Sequence, residues 1–313
     1  MSSKTFNLSL AAVVLSLSLA LASQAEAQSS PGVRANGMGG AFVGVADDAT
    51  AVYWNPSGLA TGALASVNLE LGDWTPGGPG NPEGLRHALV AIALPPVGIA
   101  YYRQGVFGVR PPGPAVTGSE GREEVRSSVH AFSTSTLAVS LLQSLTDYVV
   151  VSATPKLVWG GESFAADVDA SAMLAVQRFR LGLVGRNLAT PTFALDDSGA
   201  DDVELQRQVR LGGGWGSGWP GYSRVVVAVD GDLMNRATLT GDRRDVAAGV
   251  ETWWLGRRLG VRGGMRGSTV GDARAVLSAG ASGQLAGIYL EGYVAGGGDA
   301  SDRSWGLGLR YSF

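Results

Sequence analysis

The chain has 313 residues, of which 47 are glycine and none is cysteine, and its formal net charge is −3. Hydrophobic residues make up 45% and charged residues 16%, which is too apolar for a disordered chain and too rich in glycine for a helical bundle. The near-neutral charge offers no broad basic surface for nucleic acid. The lack of cysteine excludes disulfides, thiolate zinc sites and cysteine nucleophiles, and two histidines are too few for most metal sites.

The first 27 residues have the features of a secretory signal peptide. Lys4 precedes an apolar run from Leu8 to Ala22, and Ala25-Glu26-Ala27 places small residues at the positions that signal peptidase reads. We predict cleavage after Ala27 and export of the mature chain. The run is short for a membrane helix, and no later stretch approaches about 20 apolar residues, so we expect no helical span.

The mature chain alternates between apolar and polar or small residues. At the C-terminus, Trp305, Leu307, Leu309, Tyr311 and Phe313 alternate with serine, glycine and arginine. A period of two predicts a strand that is apolar on one face only. The pattern recurs with turn signals between the repeats and predicts fourteen strands, at residues 63–74, 85–94, 97–105, 127–142, 148–159, 164–176, 179–189, 203–215, 222–234, 243–254, 258–266, 272–282, 285–295 and 303–313.

The connections between these strands fall into two groups. Those after even-numbered strands are short, as at Pro95-Pro96, whereas the long ones, 75–84, 106–126, 190–202 and 235–242, follow odd-numbered strands. Bacterial outer-membrane barrels have even strand numbers, short periplasmic turns and longer outer loops. Since only a closed sheet pairs every backbone group within hydrocarbon, we predict an all-β fold, a fourteen-stranded antiparallel transmembrane β-barrel formed by residues 63–313.

Aromatic residues at the strand ends predict two girdles at the headgroup level. A soluble β-sandwich or propeller would also contain aromatic residues, but it would not explain the signal peptide, the loop asymmetry and the terminal Phe313 together. Pro155 cannot donate to a ladder and predicts a bulge or local break. The outer girdle comprises Trp74, Trp159, Phe164 and Trp305, and the periplasmic girdle comprises Tyr148, Trp215, Tyr222, Trp253, Trp254, Tyr311 and Phe313.

Residues 28–62 do not fit the barrel pattern. They carry a glycine cluster, an acidic pair and an aromatic turn, too apolar together to stay comfortably in water. We predict a short helix and turn that fold into the barrel as a hatch, with a flexible leader as the alternative. Asn55-Pro56 suits a turn or helix start. The candidate hatch residues are Gly37, Gly39, Gly40, Asp47, Asp48, Tyr53, Trp54, Asn55, Pro56 and Ser57.

The block from Ala35 to Ala60, G-M-G-G-A-F-V-x-V-A-D-D-A-x-A-V-Y-W-N-P-x-G-L-A, resembles the N-terminal hatch signature of the FadL-type outer-membrane proteins and their PorV/PorQ-like relatives. The resemblance implies a fourteen-stranded barrel with a hatch. The Asn-Pro-Ala turn of that hatch corresponds to Asn55-Pro56-Ser57, with serine in the third place. FadL-type members take up long-chain fatty acids or other hydrophobic molecules by movement of the hatch and a lateral opening. PorV-like members serve protein secretion or attachment, and the motif Y-W-N-P-x-G-L-A is slightly more similar to that branch.

Charges of both signs fall at the inward positions of the predicted strands. We interpret them as pairs that brace the wall around the hatch, with recognition of an amphipathic carboxylate by arginine as the alternative. The candidates for hatch or ligand contacts are Arg180, Arg186, Arg210, Arg262, Arg266, Glu251 and Arg310. The other inward charges are Asp167, Asp169, Glu204, Asp230, Asp232 and Glu291.

Enzymatic motifs are weak. His130 is inward in register, but no Ser/His/Asp spacing accompanies it, and Gly37-Met38-Gly39 lacks the preceding strand and third glycine of a dinucleotide site. We expect no enzyme activity, no cofactor and no metal.

The predicted function is passive uptake of hydrophobic or amphipathic small molecules, like long-chain fatty acids, through a hatch-gated lumen in the bacterial outer membrane. The alternative is a PorV-like docking barrel of a protein secretion or attachment system, whose partner would be a secretion-system protein. Other expected partners are outer-membrane lipid, a hydrophobic ligand and, through Phe313, the barrel-assembly machinery. Nucleic acid is not expected.

Overall fold

The computed structural model describes residues 26–28, 30–74, 85–110, 116–117, 123–124, 128–160, 163–193, 203–218, 224–238, 241–271, 273–298 and 302–313. The predicted signal peptide up to residue 25, the loop 75–84 and Tyr222 of the predicted girdle lie outside the described residues. The side chains of Trp74 and His130 lie outside them as well.

Fourteen antiparallel strands form a closed barrel, as the alternation predicts. Each strand pairs with its neighbours in the chain, and the first pairs with the last over nine positions, from Ser66↔Ser312 to Trp74↔Ser304. The strands are β1 (Ser66–Trp74), β2 (Leu85–Leu94), β3 (Val97–Arg110), β4 (Ser128–Ser144), β5 (Val149–Gly160), β6 (Ser163–Val176), β7 (Phe179–Arg186), β8 (Gln208–Gly216), β9 (Val225–Asp232), β10 (Asp245–Trp254), β11 (Leu259–Ser268), β12 (Val276–Leu285), β13 (Ile288–Gly297) and β14 (Ser304–Ser312).

Side chains alternate between the two faces of the wall. In β14, Leu307 is 61% exposed on the outside, whereas Arg310 is buried toward the interior. The same alternation of exposed apolar and buried positions runs through β5, β7 and β9. Hydrocarbon favours an apolar outer surface and hydrogen-bonded backbone groups, which neighbouring barrel strands provide.

The strand boundaries need three corrections. Val203–Glu204 pairs with Thr192–Phe193 outside the barrel sheet, so β8 begins at Gln208, and Glu204 is exposed rather than luminal. Short alternating segments fit a small hairpin as well as a barrel strand. β3 continues through Val106, Phe107 and Val109, which we had predicted to lie in a loop.

The third correction concerns the turn between β12 and β13. It lies at Ala286-Gly287, both with positive φ, and not at Gly283-Gln284, because Gly283 pairs within the ladder. β12 therefore ends three residues later than predicted, at Leu285, and β13 begins three residues later, at Ile288.

Pro155 and Trp253 test two finer predictions. The β4–β5 ladder has the pairs Ala138↔Lys156 and Leu141↔Ala153 but none between them, so the predicted local break is present without a change of register. Trp253 is buried inside the barrel, whereas Trp254 is exposed outside. The girdle assignment was therefore wrong for Trp253, because adjacent strand residues face opposite sides.

Residues 30–65, called here the N-terminal segment, lie inside the barrel. The segment contains α1 (Val33–Gly37), α2 (Ala51–Trp54) and a 3₁₀ helix (Pro56–Thr61), and these elements contact strands around the wall, from β3 to β14. Nearly every side chain from Pro31 to Leu59 is buried. Among the described residues, no helix is both long and apolar enough to cross a membrane.

One seam of the wall is incompletely paired. The β2–β3 ladder ends at Ala88↔Arg103, although β2 continues to Leu85 against β1 and β3 continues to Arg110 against β4. The short strand Glu26–Gln28, of which Glu26 and Ala27 belong to the predicted signal peptide, pairs with β3 at Val106–Gly108. We call this unpaired part of the β2–β3 boundary the seam. It lies toward the loop end, opposite the turn end where β1 begins and β14 finishes.

Candidate functional site

Arg34 of α1 lies at the centre of a buried ion network. Its guanidinium donates to both oxygens of Glu251 on β10, at 2.9 and 2.6 Å. Its third nitrogen reaches Asp47 at 2.5 Å and Asp48 at 3.2 Å. Since a buried charge is costly without partners, this arrangement fixes the N-terminal segment to the wall.

The network continues around the wall. Glu291 accepts from Arg310 at 3.0 Å and from Ser282 at 2.8 Å. Arg262, fully buried, lies 3.6 Å from Glu251 and 3.5 Å from Glu291. β10, β11, β13 and β14 are thereby linked through side chains of alternating charge.

Wall side chains also bind the backbone of the N-terminal segment. Asp230 on β9 accepts the N–H groups of Phe42 and Val43 at 2.7 and 2.8 Å. Arg186 on β7 donates to the carbonyls of Tyr53 and Trp54 at 2.9 and 3.2 Å and lies over the Tyr53 ring at 4.3 Å. These bonds satisfy backbone groups that would otherwise be buried without partners.

Two more anchors lie at the ends of the segment. Glu70 on β1 accepts the N–H groups of Gly32 and Val33 at 2.9 and 3.0 Å. Ser57, in the predicted Asn-Pro-Ser turn, lies 2.8 Å from the Ser171 hydroxyl and 3.2 Å from the Ser152 hydroxyl. Asn55 donates its amide to the Val43 carbonyl at 2.9 Å, so this turn is held both by the segment and by the wall.

Glycine allows the segment to approach the wall backbone. Gly39 has φ +71°, and a Cβ there would lie 2.6 Å from the Met265 nitrogen. A Cβ on Gly264 would lie 2.1 Å from the Met38 carbonyl carbon. Contacts this short leave no room for any side chain.

The electrostatics of the segment keep Arg34 and Asp47 ionised. Burial alone would lower the pKa of Arg34, but the charges of Asp47 and Glu251 outweigh it and raise that pKa above its ordinary value. Burial likewise opposes ionisation of Asp47, yet the charges of Arg34 and then Arg180 lower the pKa of this carboxyl. The Arg34–Asp47 pair is therefore ionised at neutral pH.

A second buried cluster lies beside an inward-folded loop. Lys156 on β5 contacts Asp167 at 2.7 Å and Asp169 at 2.6 Å on β6. Asp169 accepts the Asn187 N–H at 2.9 Å. Beyond Asn187, Phe193 is buried with other apolar side chains of the wall and loop, so this loop folds toward the interior.

The remaining candidates from the sequence lie at different places in the lumen. Arg210 contacts Asp230 at 3.5 Å, Asp232 at 3.0 Å and the Gly40 carbonyl at 3.3 Å. Arg180 approaches Asp47 at 3.9 Å. Arg266 lines a small space with Asn36 and Gly39, away from the Arg34 network.

Arg34, Glu70 and the serines Ser152 of β5 and Ser171 of β6 are not among the residues predicted from the sequence. Arg34 was the only base within residues 30–62, and a lone base in an apolar segment with two acids could have marked it. Ser152 and Ser171 follow ordinary strand alternation, which carries no sign of a contact. In the part of the chain that the structure describes, no group of three histidine or acidic residues is placed to hold a metal ion.

Comparison with solved structures identifies the fold. The CymD monoaromatic hydrocarbon channel superposes with a TM-score of 0.65 at 12% identity, over 90% of this chain and 97% of that chain. The Pseudomonas putida toluene transporter TodX superposes with a TM-score of 0.60 at 10% identity, over 90% and 96%. The chain has the fold of the FadL-type outer-membrane channels. At these identities the likeness concerns architecture alone.

The match to a known sequence family covers a smaller part of the chain. The family described as "F plasmid transfer operon, TraF, protein" matches residues 161–232, which is well under half of the chain and includes β6 to β9. No curated protein sequence matches the chain.

Proposed function

We propose that this barrel takes up hydrophobic or amphipathic small molecules passively across the bacterial outer membrane, with the N-terminal segment as its hatch. The observation that carries the proposal is the filled lumen. Phe42, Val43 and Ala46 are completely buried between the strands. An open aqueous pore would leave such a segment wet, so permeation of polar solutes by a fixed channel is not favoured.

The seam between β2 and β3 supports a lateral route. Beyond Ala88↔Arg103 the two strands share no ladder pairs among the described residues, so no β2–β3 ladder bond has to break there for the wall to open. An apolar molecule that leaves the lumen there enters hydrocarbon without crossing water. Its passage would be driven by its own concentration gradient.

Two neighbours in fold support the class of substrate. The titles of CymD and TodX name a monoaromatic hydrocarbon channel and a toluene transporter. Fatty-acid-like ligands remain within the proposal because the lumen also carries arginines that suit a carboxylate. No contact among the described residues favours the docking role over uptake.

An influx assay tests the proposal. The barrel is incorporated in vesicles whose outer leaflet is lipopolysaccharide, which slows the entry of hydrocarbons, and entry of toluene and of the polar sugar arabinose is followed separately. We expect faster toluene entry than in protein-free vesicles of the same composition, with arabinose entry unchanged, because the segment closes the lumen to water. Equal acceleration of both solutes, or of neither, would contradict the proposal.

A further inference from the structure

A large cavity opens at the turn end of the barrel, on the side of the N-terminal segment that faces the periplasm in the proposed orientation. Its volume is about 1180 Å³, enough for a small organic ligand. Its floor is the exposed edge of the ion network, at Arg34 and Asp47, and its rim includes Leu64, Leu255 and Phe313. We call this cavity the vestibule. None of the anchoring bonds of Asp230 or Arg186 lies in it.

One wall of the vestibule alternates cations with aromatic rings. The Arg310 guanidinium lies 4.2 Å from the centre of the Tyr289 ring, and Tyr289 meets Trp253 edge-on at 5.6 Å. Arg257, in the turn after β10, lies 4.7 Å from the Trp253 ring. The four side chains form a row from the floor toward the rim. A guanidinium lies over each of the two rings, which favours both partners by a cation–π interaction.

The charges of the vestibule favour an anion. Four arginines line it, Arg34, Arg224, Arg257 and Arg310, against two acids, Asp47 and Asp48. Both acids already bind Arg34, and the buried Glu291 binds only the Nη2 nitrogen of Arg310. Arg224 is exposed and has no side-chain partner within the described part of the chain.

The apolar rim adds a second requirement. Leu64 is 83% exposed and Leu255 is 74% exposed, and both line the cavity. A small inorganic anion would leave this apolar surface uncovered. A ligand with an anionic head and an apolar body would cover it while its head reaches the arginines.

We propose that the vestibule binds an anionic amphipath, a carboxylate with an apolar or aromatic body, at the periplasmic end of the barrel. The head lies between Arg224 and Arg257, and the body lies against Leu64 and Leu255. The proposal deepens the proposed function by giving the periplasmic end its own binding site for an amphipathic ligand. It concerns equilibrium binding, so it can fail while toluene influx through the barrel persists.

Binding of 1-naphthoate to the full-length barrel in neutral detergent tests the site, with 1-naphthylmethanol as the uncharged analogue and empty micelles as the blank. We expect naphthoate to bind at least roughly tenfold more tightly than the alcohol, and Arg224→Gln and Arg257→Gln each to weaken naphthoate binding by roughly tenfold. Binding of the alcohol should hardly change in either variant.

Arg178→Gln is the matched control, because Arg178 lies exposed in the turn between β6 and β7 at the same end of the barrel but outside the vestibule. Its naphthoate affinity should equal that of the unmodified protein. Heat-dependent gel mobility establishes that each variant is a folded barrel. Equal binding of acid and alcohol, absence of naphthoate binding, or equal weakening by Arg178→Gln would overturn the proposal. Toluene influx measured on the same preparations reports the proposed function separately.

Discussion

Arg34 and Glu251, 217 positions apart in the chain, form a two-pronged ion pair between the N-terminal segment and the barrel wall. Glu251 has no exposed surface and Arg34 almost none. Removing either charge alone leaves the other buried without its closest partner. The pair therefore makes the position of the segment part of the stability of the barrel.

Replacing Arg34 by Met should destabilise the protein strongly. Loss of one member of a buried pair leaves an uncompensated charge and costs about 3–5 kcal/mol. We expect a decrease of this size in the unfolding free energy measured by urea titration in lipid vesicles. Arg34→Met combined with Glu251→Gln should recover part of it, because the double variant lacks the orphaned carboxylate. Arg303→Met, at an exposed position, should have little effect, and a similar loss there would refute the explanation.

The Asp47 carboxyl predicts an acid-sensitive contribution to stability. Its pKa in the folded protein lies below the ordinary value of 3.8, because the charges of Arg34 and Arg180 outweigh burial. Its contribution is therefore complete above pH 3.8 and is lost as the pH falls through the lower folded value. Arg34 remains charged throughout this range.

Asp47→Asn isolates that contribution. The unfolding free energy of the unmodified protein should exceed that of the variant at pH 7, and the difference should shrink as the pH falls below 3.8. Other acids titrate in both proteins and largely cancel in the difference. A difference that stays constant with pH would mean that the charge of Asp47 does not hold the segment.

The close approach of Gly264 to the N-terminal segment predicts a local steric effect. A Cβ added there meets the backbone of Met38 and Gly39, which cannot move without shifting the segment. We expect Gly264→Ala to leave a folded barrel with a leaky lumen, seen as raised single-channel conductance in planar bilayers. Gly283→Ala is the control, since nothing lies within 4 Å of its added Cβ. Conductance that rises equally in both variants would remove the steric explanation.

Deleting residues 28–60 should open the lumen fully. The strands pair with one another without the segment, so the barrel should still form, although with lower stability. The exposed lumen would carry charges such as Asp230 and Glu251, which favour water. We expect a large increase in planar-bilayer conductance, and unchanged conductance would mean that the segment does not fill the lumen in the membrane.

The strands could be predicted because one physical constraint governs each of them. A lipid-facing side chain at every second position leaves a period of two in the sequence, and β14 follows it from Trp305 to Tyr311. The prediction failed for residues that do not face lipid. Val203–Glu204 alternates like a strand but belongs to a small hairpin, and Trp253 is aromatic at a strand end but faces inward.

The partners inside the lumen could be predicted less well. Inward charges such as Arg186 and Asp230 follow from alternation, but what they contact depends on how residues 30–65 fold. Arg186 and Asp230 bind backbone groups of the segment, and such contacts leave no pattern in side-chain sequence. The vestibule likewise arises from Tyr289, Trp253 and Arg310. These residues lie on three strands, and alternation alone does not predict the register of those strands relative to one another.

The proposed uptake requires the N-terminal segment to move as a hatch, and a disulfide lock between the segment and the wall tests this movement. The chain has no cysteine, so Ser57→Cys with Ser171→Cys introduces one pair, at hydroxyls 2.8 Å apart, that ties the segment to β6. Ser152→Cys with Ser171→Cys is the control, since these hydroxyls lie 2.7 Å apart on directly paired residues of β5 and β6 and the disulfide joins wall to wall. We expect oxidation to abolish toluene influx through the first variant, reduction to restore it, and the control to stay active in both states. Undiminished influx through the oxidised first variant would contradict it.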